Sequence, residues 1–228
     1  MEGDGLALSP QQRRHMEILE AIAREMHDTP LVLKGGSAIV LGYRQARFTE
    51  DLDFDSPRKL NLENRIAAAL QKARARLLPA DAPQILKPKD TNTVQRYKLE
   101  YETEEGWRGR LKIETSFREI PAPQSVAMVD GIRMYGLETL IEHKLNCLDG
   151  RVRARDLVDV GFLAKNYPDH FDAMQSARLR EFVKDPKGLE QRYTEAFKLD
   201  DIPVGDVDTA VLRVMEGVDA VQRIHSPG

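Results

Sequence analysis

Three aspartates at alternate positions, Asp51, Asp53 and Asp55, with Leu52 and Phe54 between them, constrain this chain more than any other stretch. Successive side chains of a strand point to opposite faces, so the pattern predicts a strand over 51–55 with three carboxylates on one side and two apolar side chains on the other. Aspartate is a poor strand former and like charges on one face repel, so such a row costs stability unless cations neutralise it. A divalent ion is the natural neutraliser. Oxygen-only ligands with so few carboxylates suit Mg²⁺, which keeps several waters and completes its shell on substrate phosphates. The plain alternative is a solvated, Asp-rich turn.

The residues just before the aspartates weigh against that alternative. Leu31-Val32-Leu33 reads as a strand over about 30–34, and Gly35-Gly36-Ser37 then opens a helix from about 36 to 43. Glycine permits positive φ and close approach of backbone to phosphate, and the free N–H groups of a helix start attract anions. Strand, Gly-Gly-Ser, helix and DxDxD therefore read as a phosphate clamp followed by a metal clamp. Thirteen residues separate Ser37 from Asp51. The arrangement resembles the nucleotidyltransferase superfamily signature, in which a glycine turn is followed at about this distance by an acidic Dh[DE]h strand.

The 228 residues, 41% of them apolar, suffice for one domain or two closely joined subdomains. With 34 basic and 37 acidic residues the formal net charge is −3, which excludes a general nucleic-acid coat and leaves any RNA to a local basic patch. Cys147 is the one cysteine, so no internal disulfide is possible, in keeping with a reducing compartment. No stretch of apolar residues is long enough to span a membrane and the N-terminus has no signal-peptide pattern; the expected location is cytoplasmic, with no membrane partner. None of the five histidines forms an HxH or HxxxH pair, which argues against a histidine-based zinc site.

In chain order, Ser9 can cap a helix with Pro10 at its first position, and Met16, Leu19, Ile22, Ala23 and Met26 carry the helical repeat to about His27. Arg44 and Arg47 in the following turn could meet phosphate or RNA, or simply be solvated. A second helix is predicted from about Asn61 to Leu78, with Leu62, Ile66, Ala69, Leu70, Ala73 and Leu77 on one stripe and Arg65, Lys72 and Arg76 on a neighbouring one. Proline-rich sequence, Pro79 to Pro88, leads into β structure. Tyr97, Leu99 and Tyr101 alternate with charged residues, Glu104-Glu105-Gly106 reads as a hairpin turn, and a strand over about 107–117 follows. Glu114 lies on its polar side. If that strand neighbours the aspartate strand, Glu114 is a third metal-associated carboxylate; otherwise it is an ion-pair partner for a basic residue across the sheet.

A short strand region from Val126 to Tyr135, turning at Asp130-Gly131, precedes an all-helical remainder. The expected organisation is a core of residues 1–135 and a helical subdomain of residues 136–228. The helix from Gly136 to Leu148 has an apolar stripe that includes the position of Lys144, a costly place for an ammonium unless it snorkels or meets an anion. Arg151, Arg153, Arg155, Asp156 and Asp159 follow, on or before a helix apolar around most of its circumference, so both acids need partners. Amphipathic helices over about 169–183, 187–198 and 206–224 close the chain.

The stretches LVLKGGSAIVLGY, RFTEDLDFD, LKIETS and HKLNCLDGRVRARDLVDV, in this order over roughly residues 30 to 165, resemble the four motifs of the AbiEii/AbiGii nucleotidyltransferase toxin family of abortive-infection and type IV toxin–antitoxin systems. The resemblance implies an α+β fold, a polymerase β-like mixed sheet with helices, completed by a helical C-terminal subdomain. It implies that Gly35, Gly36 and Ser37 bind the triphosphate, that Asp51 and Asp53 hold metal, that Lys144 binds the nucleotide phosphates, and that Asp156 is a catalytic acid or base. The activity implied is Mg²⁺-dependent transfer of NMP from an NTP to an acceptor hydroxyl with release of pyrophosphate, Mn²⁺ being the alternative ion. A tRNA 3′ end is the leading acceptor, and an antitoxin the expected functional partner. The rival readings are an antibiotic- or protein-modifying nucleotidyltransferase and a non-catalytic NTP-binding regulatory module. With its ammonium at the mouth of an interface, Lys144→Met is expected to preserve or raise the stability of the nucleotide-free protein.

Overall fold

The computed structural model describes residues 8–78, 85–200 and 204–225. Among the described residues eight strands form one sheet; with β1 at Val32–Leu33, β2 at Leu52–Asp55, β3 at Ala75–Leu78, β4 at Ile85–Asp90, β5 at Val94–Thr103, β6 at Arg108–Ser116, β7 at Val126–Val129 and β8 at Ile132–Tyr135, the order is β3-β5-β6-β2-β1-β8-β7, and β4 also pairs with β5. The chain divides into two compact units, one made of Ala7–Arg44 and Phe48–Tyr135, the other including Gln45–Arg47 and everything from Gly136 on.

The first unit is the sheet with its helices. Helix α1 (Pro10–Glu25) begins as its sequence predicts, since the Ser9 hydroxyl accepts the Gln12 amide and the Gln12 side chain returns to the Ser9 amide. Its apolar stripe, Ile18, Leu19, Ile22 and Ala23, is buried. Strand β1 (Val32–Leu33) is only two residues long, and helix α2 (Gly35–Gly42) starts directly after it. Strand β2 (Leu52–Asp55) runs antiparallel to β1 and parallel to β6 (Arg108–Ser116). β6 in turn pairs antiparallel along its length with β5 (Val94–Thr103). The hairpin between them turns at Gly106, whose φ of 82° is the left-handed conformation glycine tolerates. Strands β7 (Val126–Val129) and β8 (Ile132–Tyr135) form a hairpin through Asp130-Gly131, and β8 lies parallel to β1.

One segment differs from its sequence pattern. Helix α3 (Glu63–Lys72) does not continue to Leu78: Arg74 takes φ 51°, and Ala75–Leu78 becomes β3, antiparallel to β5 with Leu77 opposite Tyr101. Arg76 therefore leaves the stripe assigned to it and pairs with Glu102 across the sheet. Residues 75–78 are apolar enough for either state, and pairing with the long β5 edge decides for the strand. Strand β4 (Ile85–Asp90) contains Pro88 at a shift in register between Leu86 and Lys89, where a missing N–H is tolerated. The earlier part of the proline-rich stretch, residues 79–84, lies outside the described residues.

Tyr97 ties the sheet to α3, its hydroxyl accepting the Leu62 amide at 3.2 Å and donating to the Leu60 carbonyl at 2.9 Å. Tyr97, Leu99, Tyr101, Leu111 and Ile113 are all buried on this helix-facing side. By alternation, Arg96, Lys98, Lys112 and Glu114 line the opposite face, with Glu114 in register beside Asp53.

The second unit is helical: α4 (Leu137–Gly150), α5 (Ala154–Asn166), α6 (Ala173–Phe182), α7 (Pro186–Leu199) and α8 (Val207–His225). Helices α5 and α8 pack at small residues; a Cβ added at Gly217 would come within 2.6 Å of the Ala164 methyl. The turn Gln45–Arg47 belongs here because Gln45 donates to the Val158 carbonyl and Arg47 to Asp159. Among the described residues no helix is long and apolar enough to cross a membrane.

Candidate active site

The aspartate strand and the glycine turn are neighbours through the backbone. The Lys34 amide donates to the Asp53 carbonyl at 2.9 Å, so the chain leaves β1 and enters Gly35-Gly36 beside Asp53. Gly35 has φ 67°, which turns the backbone sharply into α2. No side chain caps the start of that helix, leaving its first amides available to an anion, and Ser37 is buried in the first turn.

The three aspartates have different surroundings. Asp55 is buried; the Lys34 ammonium lies 2.5 Å from one of its oxygens and the Tyr135 hydroxyl donates to the other at 3.0 Å. Burial and the Asp55 charge push the Tyr135 hydroxyl well above its ordinary pKa, which keeps it a donor. Asp55 is thus a satisfied internal anion. Asp51 is held through both oxygens by one residue: the Lys112 amide donates to Oδ1 at 3.2 Å and the Lys112 ammonium sits 2.8 Å from Oδ2. Asp53 is half-buried, and no hydrogen bond reaches its carboxylate among the described residues. Burial raises its pKa; the Lys112 charge opposes that rise, and the charges of Glu114 and Asp51 add to it.

Glu114 stands beside Asp53 in the parallel pair and also forms an ion pair with Arg96 across β5, 2.5 Å apart. The ion pair across the sheet that the sequence offered for Glu114 is present, and the strand carrying it does neighbour the aspartate strand. Lys112 was invisible to motif reasoning, because an alternating strand always carries some charged side chain there. The one available signal was its place two residues before Glu114 on the same face.

His15 supports Asp51 from behind. Its ring is buried, with Nδ1 2.6 Å from the Tyr101 hydroxyl and Nε2 3.0 Å from the Glu50 carbonyl. A neutral ring protonated at Nε2 satisfies both contacts, donating to Glu50 and accepting from Tyr101. Burial lowers the His15 pKa and pushes Tyr101 up to about 12, so both stay in these states at neutral pH. The peptide preceding Asp51 is thereby fixed. Beside it opens a groove of about 1410 Å³, with Asp51, Lys112, Lys98, Phe48 and Leu86 in its walls.

In the helical unit, Lys144 is almost fully buried, and its ammonium lies 2.8 Å from Asp156 and 2.6 Å from Asp159. Arg47 forks onto Asp159 with contacts of 2.7 and 2.9 Å, and Arg151 reaches Asp156 at 2.7 Å. Burial alone would raise both aspartates. Arg47 and Lys144 outweigh it at Asp159, and Lys144 with Arg151 outweighs it at Asp156, so both pKa values fall below the ordinary one. Burial would lower Lys144, but the two aspartates hold it above its usual value. The lysine on the apolar stripe has met anions rather than snorkelled. Arg47 is a buried partner of Asp159, while Arg44 is exposed and paired with Glu20 and Asp130.

Asp51, Asp53 and Glu114 share one face of the sheet, beside a glycine turn that leads into an uncapped helix, and the class of protein this arrangement belongs to is the nucleotidyltransferases. Residues 17–222 match the family described as nucleotidyl transferase AbiEii toxin of type IV toxin–antitoxin systems, and the chain belongs to that family. Two solved structures agree: a candidate nucleotidyltransferase from H. pylori, and the protein JHP933 from Helicobacter pylori. Each is 36% identical with a TM-score of 0.84 over 96% of this chain, covering 98% of the first and 95% of the second. No curated protein matches the sequence significantly.

The residues present fit a hard divalent ion in chemistry more than in current posture. Among the described residues, no three carboxylate, histidine or cysteine side chains converge as they stand. In chemistry, Asp53 carries a carboxylate that no hydrogen bond reaches among the described residues, with Asp51 two residues before it and Glu114 in register beside it, all oxygen donors of the kind a hard divalent ion takes.

Proposed function

We propose that this chain is a Mg²⁺-dependent nucleotidyltransferase toxin that moves NMP from an NTP to an acceptor hydroxyl, a tRNA 3′ end, and releases pyrophosphate. The observation that carries the reading is the Asp53 carboxylate: half-buried, raised in pKa, without a hydrogen-bond donor, flanked by Asp51 and Glu114 and adjacent to the Gly35–Ser37 turn. A protein that keeps such a group benefits from a cation at it.

In this reading Asp51 and Asp53, with Glu114 beside them, hold the metal. When bound, divalent ions lower the pKa of the attacking hydroxyl and neutralise charge on the leaving group. The amides of Gly36 and Ser37 at the start of α2 receive the triphosphate, and Lys144 takes the phosphate-binding role implied by the family motif. The acceptor oxygen forms a new bond to the α-phosphorus as the α–β bridging bond breaks, and pyrophosphate carries away the electron pair. The hydroxyl proton passes to a carboxylate, the acid–base role that the family motif implies for Asp156. The groove beside Asp51 offers room for the acceptor. The reading places the protein in the cytoplasm, opposed by an antitoxin.

Incubation with each α-labelled NTP, total RNA and cell lysate tests the proposal. Label should pass to RNA in the presence of Mg²⁺ and fail to do so with Asp53→Ala. Label on protein or on a small product would support a modifying enzyme instead, and nucleotide bound but never consumed would support a regulatory module. Overproduction should also arrest bacterial growth, with Asp53→Ala harmless.

A further inference from the structure

Lys112 grips both oxygens of Asp51, and it does so with two chemically different groups. Its backbone amide belongs to β6 and cannot leave. Its ammonium ends a flexible four-carbon stem, and the side chain is 32% exposed. Of the neighbouring cations, Arg96 is paired with Glu114, Lys34 with Asp55 and Arg110 with Glu100, and Lys98, opposite Lys112 on β5, forms no ion pair with Asp51 among the described residues. Lys112 is therefore the cation that meets the charge of Asp51, and its charge also acts on Asp53 and Glu114.

We propose that Lys112 is a built-in counter-ion, which holds Asp51 in the metal-free protein and yields that carboxylate when a divalent cation binds. This inference rests on the metal reading above. With Oδ1 on the amide and Oδ2 on the ammonium, a divalent cation that takes Oδ2 comes up against the like charge of Nζ in direct contact with the same oxygen, and that repulsion drives the ammonium off. Metal binding is then an exchange of one cation for another rather than an addition to a vacant acid cluster. The amide contact survives the exchange and keeps the Asp51 carboxylate aimed. The displaced ammonium, still tethered beside the site, becomes free to meet an anionic substrate group. The arrangement lets the sheet fold with three acids together and without metal, and it makes metal affinity in the absence of nucleotide deliberately modest.

Mn²⁺ binding to the full chain without nucleotide, followed by electron paramagnetic resonance and by calorimetry, tests this. Lys112→Met should bind Mn²⁺ more tightly than wild type by on the order of tenfold, because a competing charge in direct contact has gone. Lys112→Gln, which retains a polar end, serves as the second variant should Lys112→Met not fold, and should also tighten binding. Lys98→Met is the control: Lys98 lies opposite Lys112 on β5 and does not touch Asp51, so the same change in net charge should alter affinity by less than about twofold. Unchanged or weaker Mn²⁺ binding in both Lys112 variants would overturn the proposal while leaving the metal reading intact. An equal gain in Lys98→Met would also overturn it, by showing only a diffuse charge effect. Absence of Mn²⁺ binding in wild type and variants alike would overturn both the counter-ion role and the metal reading.

Discussion

The two aspartate groups of this protein have been treated oppositely by the fold. Asp156 and Asp159 are less exposed than Asp53, yet their pKa values are lowered, because Lys144, Arg47 and Arg151 are in direct contact. Asp53 is more exposed, yet its pKa is raised: burial raises it, Glu114 and Asp51 add to the rise, and among the described residues no hydrogen-bond donor reaches its carboxylate to offset it. Burial acts in the same direction on all three, so the difference lies in partners. A carboxylate closed by its own protein holds helices together; in the proposed reading, the one left open receives a cation from outside.

The largest effect should come from Asp53→Asn, expected to lower transfer by roughly a thousandfold or more by removing a ligand of the reacting centre. Its melting temperature should stay level or rise, since a raised pKa marks an ionised form that the fold disfavours. A drop in melting temperature together with retained activity would erase the contrast between the groups.

Asp159→Ala should show the reverse balance. It leaves Arg47 and Lys144 buried with one shared counter-charge gone, at a cost of about 3–5 kcal/mol in urea denaturation. Lys144→Met should cost less, about 1–3 kcal/mol, because Asp159 keeps Arg47 and Asp156 keeps Arg151. That sign is opposite to the expectation drawn from the apolar stripe, on which the same exchange preserves or raises stability, because Lys144 is paired with Asp156 and Asp159. Stripe position said only that the ammonium would be desolvated; the two aspartates that repay it come from the next helix.

Acid titration should separate the groups by sign. The depressed pKa values of Asp156 and Asp159 supply stability that is present above the unfolded value near 3.8 and is lost as pH falls through the folded values. Asp53, raised instead, opposes folding while ionised, and protonation relieves it. Urea midpoints from pH 7 downward should therefore fall in wild type below about pH 4 and fall less steeply in Asp159→Asn. The smallest effect belongs to Glu114→Gln, whose partly exposed pair with Arg96 should change stability by no more than about 1 kcal/mol. A loss as large as that of Asp159→Ala would place Glu114 in the closed group.

Local chemistry made much of this molecule legible beforehand. Ser9-Pro10 marks a helix start because a hydroxyl cap and a residue without N–H suit that place in any protein. Alternation made strands of 51–55 and 94–116, with the turn at Gly106, and helical periodicity marked the five helices after Gly136. The pairing of a glycine turn with alternating aspartates read as a phosphate clamp followed by a metal clamp, and its resemblance to the nucleotidyltransferase signature pointed to nucleotidyl transfer.

What the sequence could not decide was which partner each charge would take. Residues 75–78 became a strand because β5 offers an edge, a fact absent from their own pattern. Asp51, Asp53 and Asp55 are identical in type and spacing, and only the surrounding fold made one a captive of Lys112, one open, and one closed by Lys34 and Tyr135. Arg47, read as a phosphate contact or a solvated side chain, became the fork that holds Asp159, which lies 112 residues away in the chain. Periodicity reports which face of an element a side chain occupies, because that follows from backbone geometry alone. The identity of its neighbour across space depends on how the elements pack, and there the tertiary structure decided the difference between an aspartate with a partner and one left open.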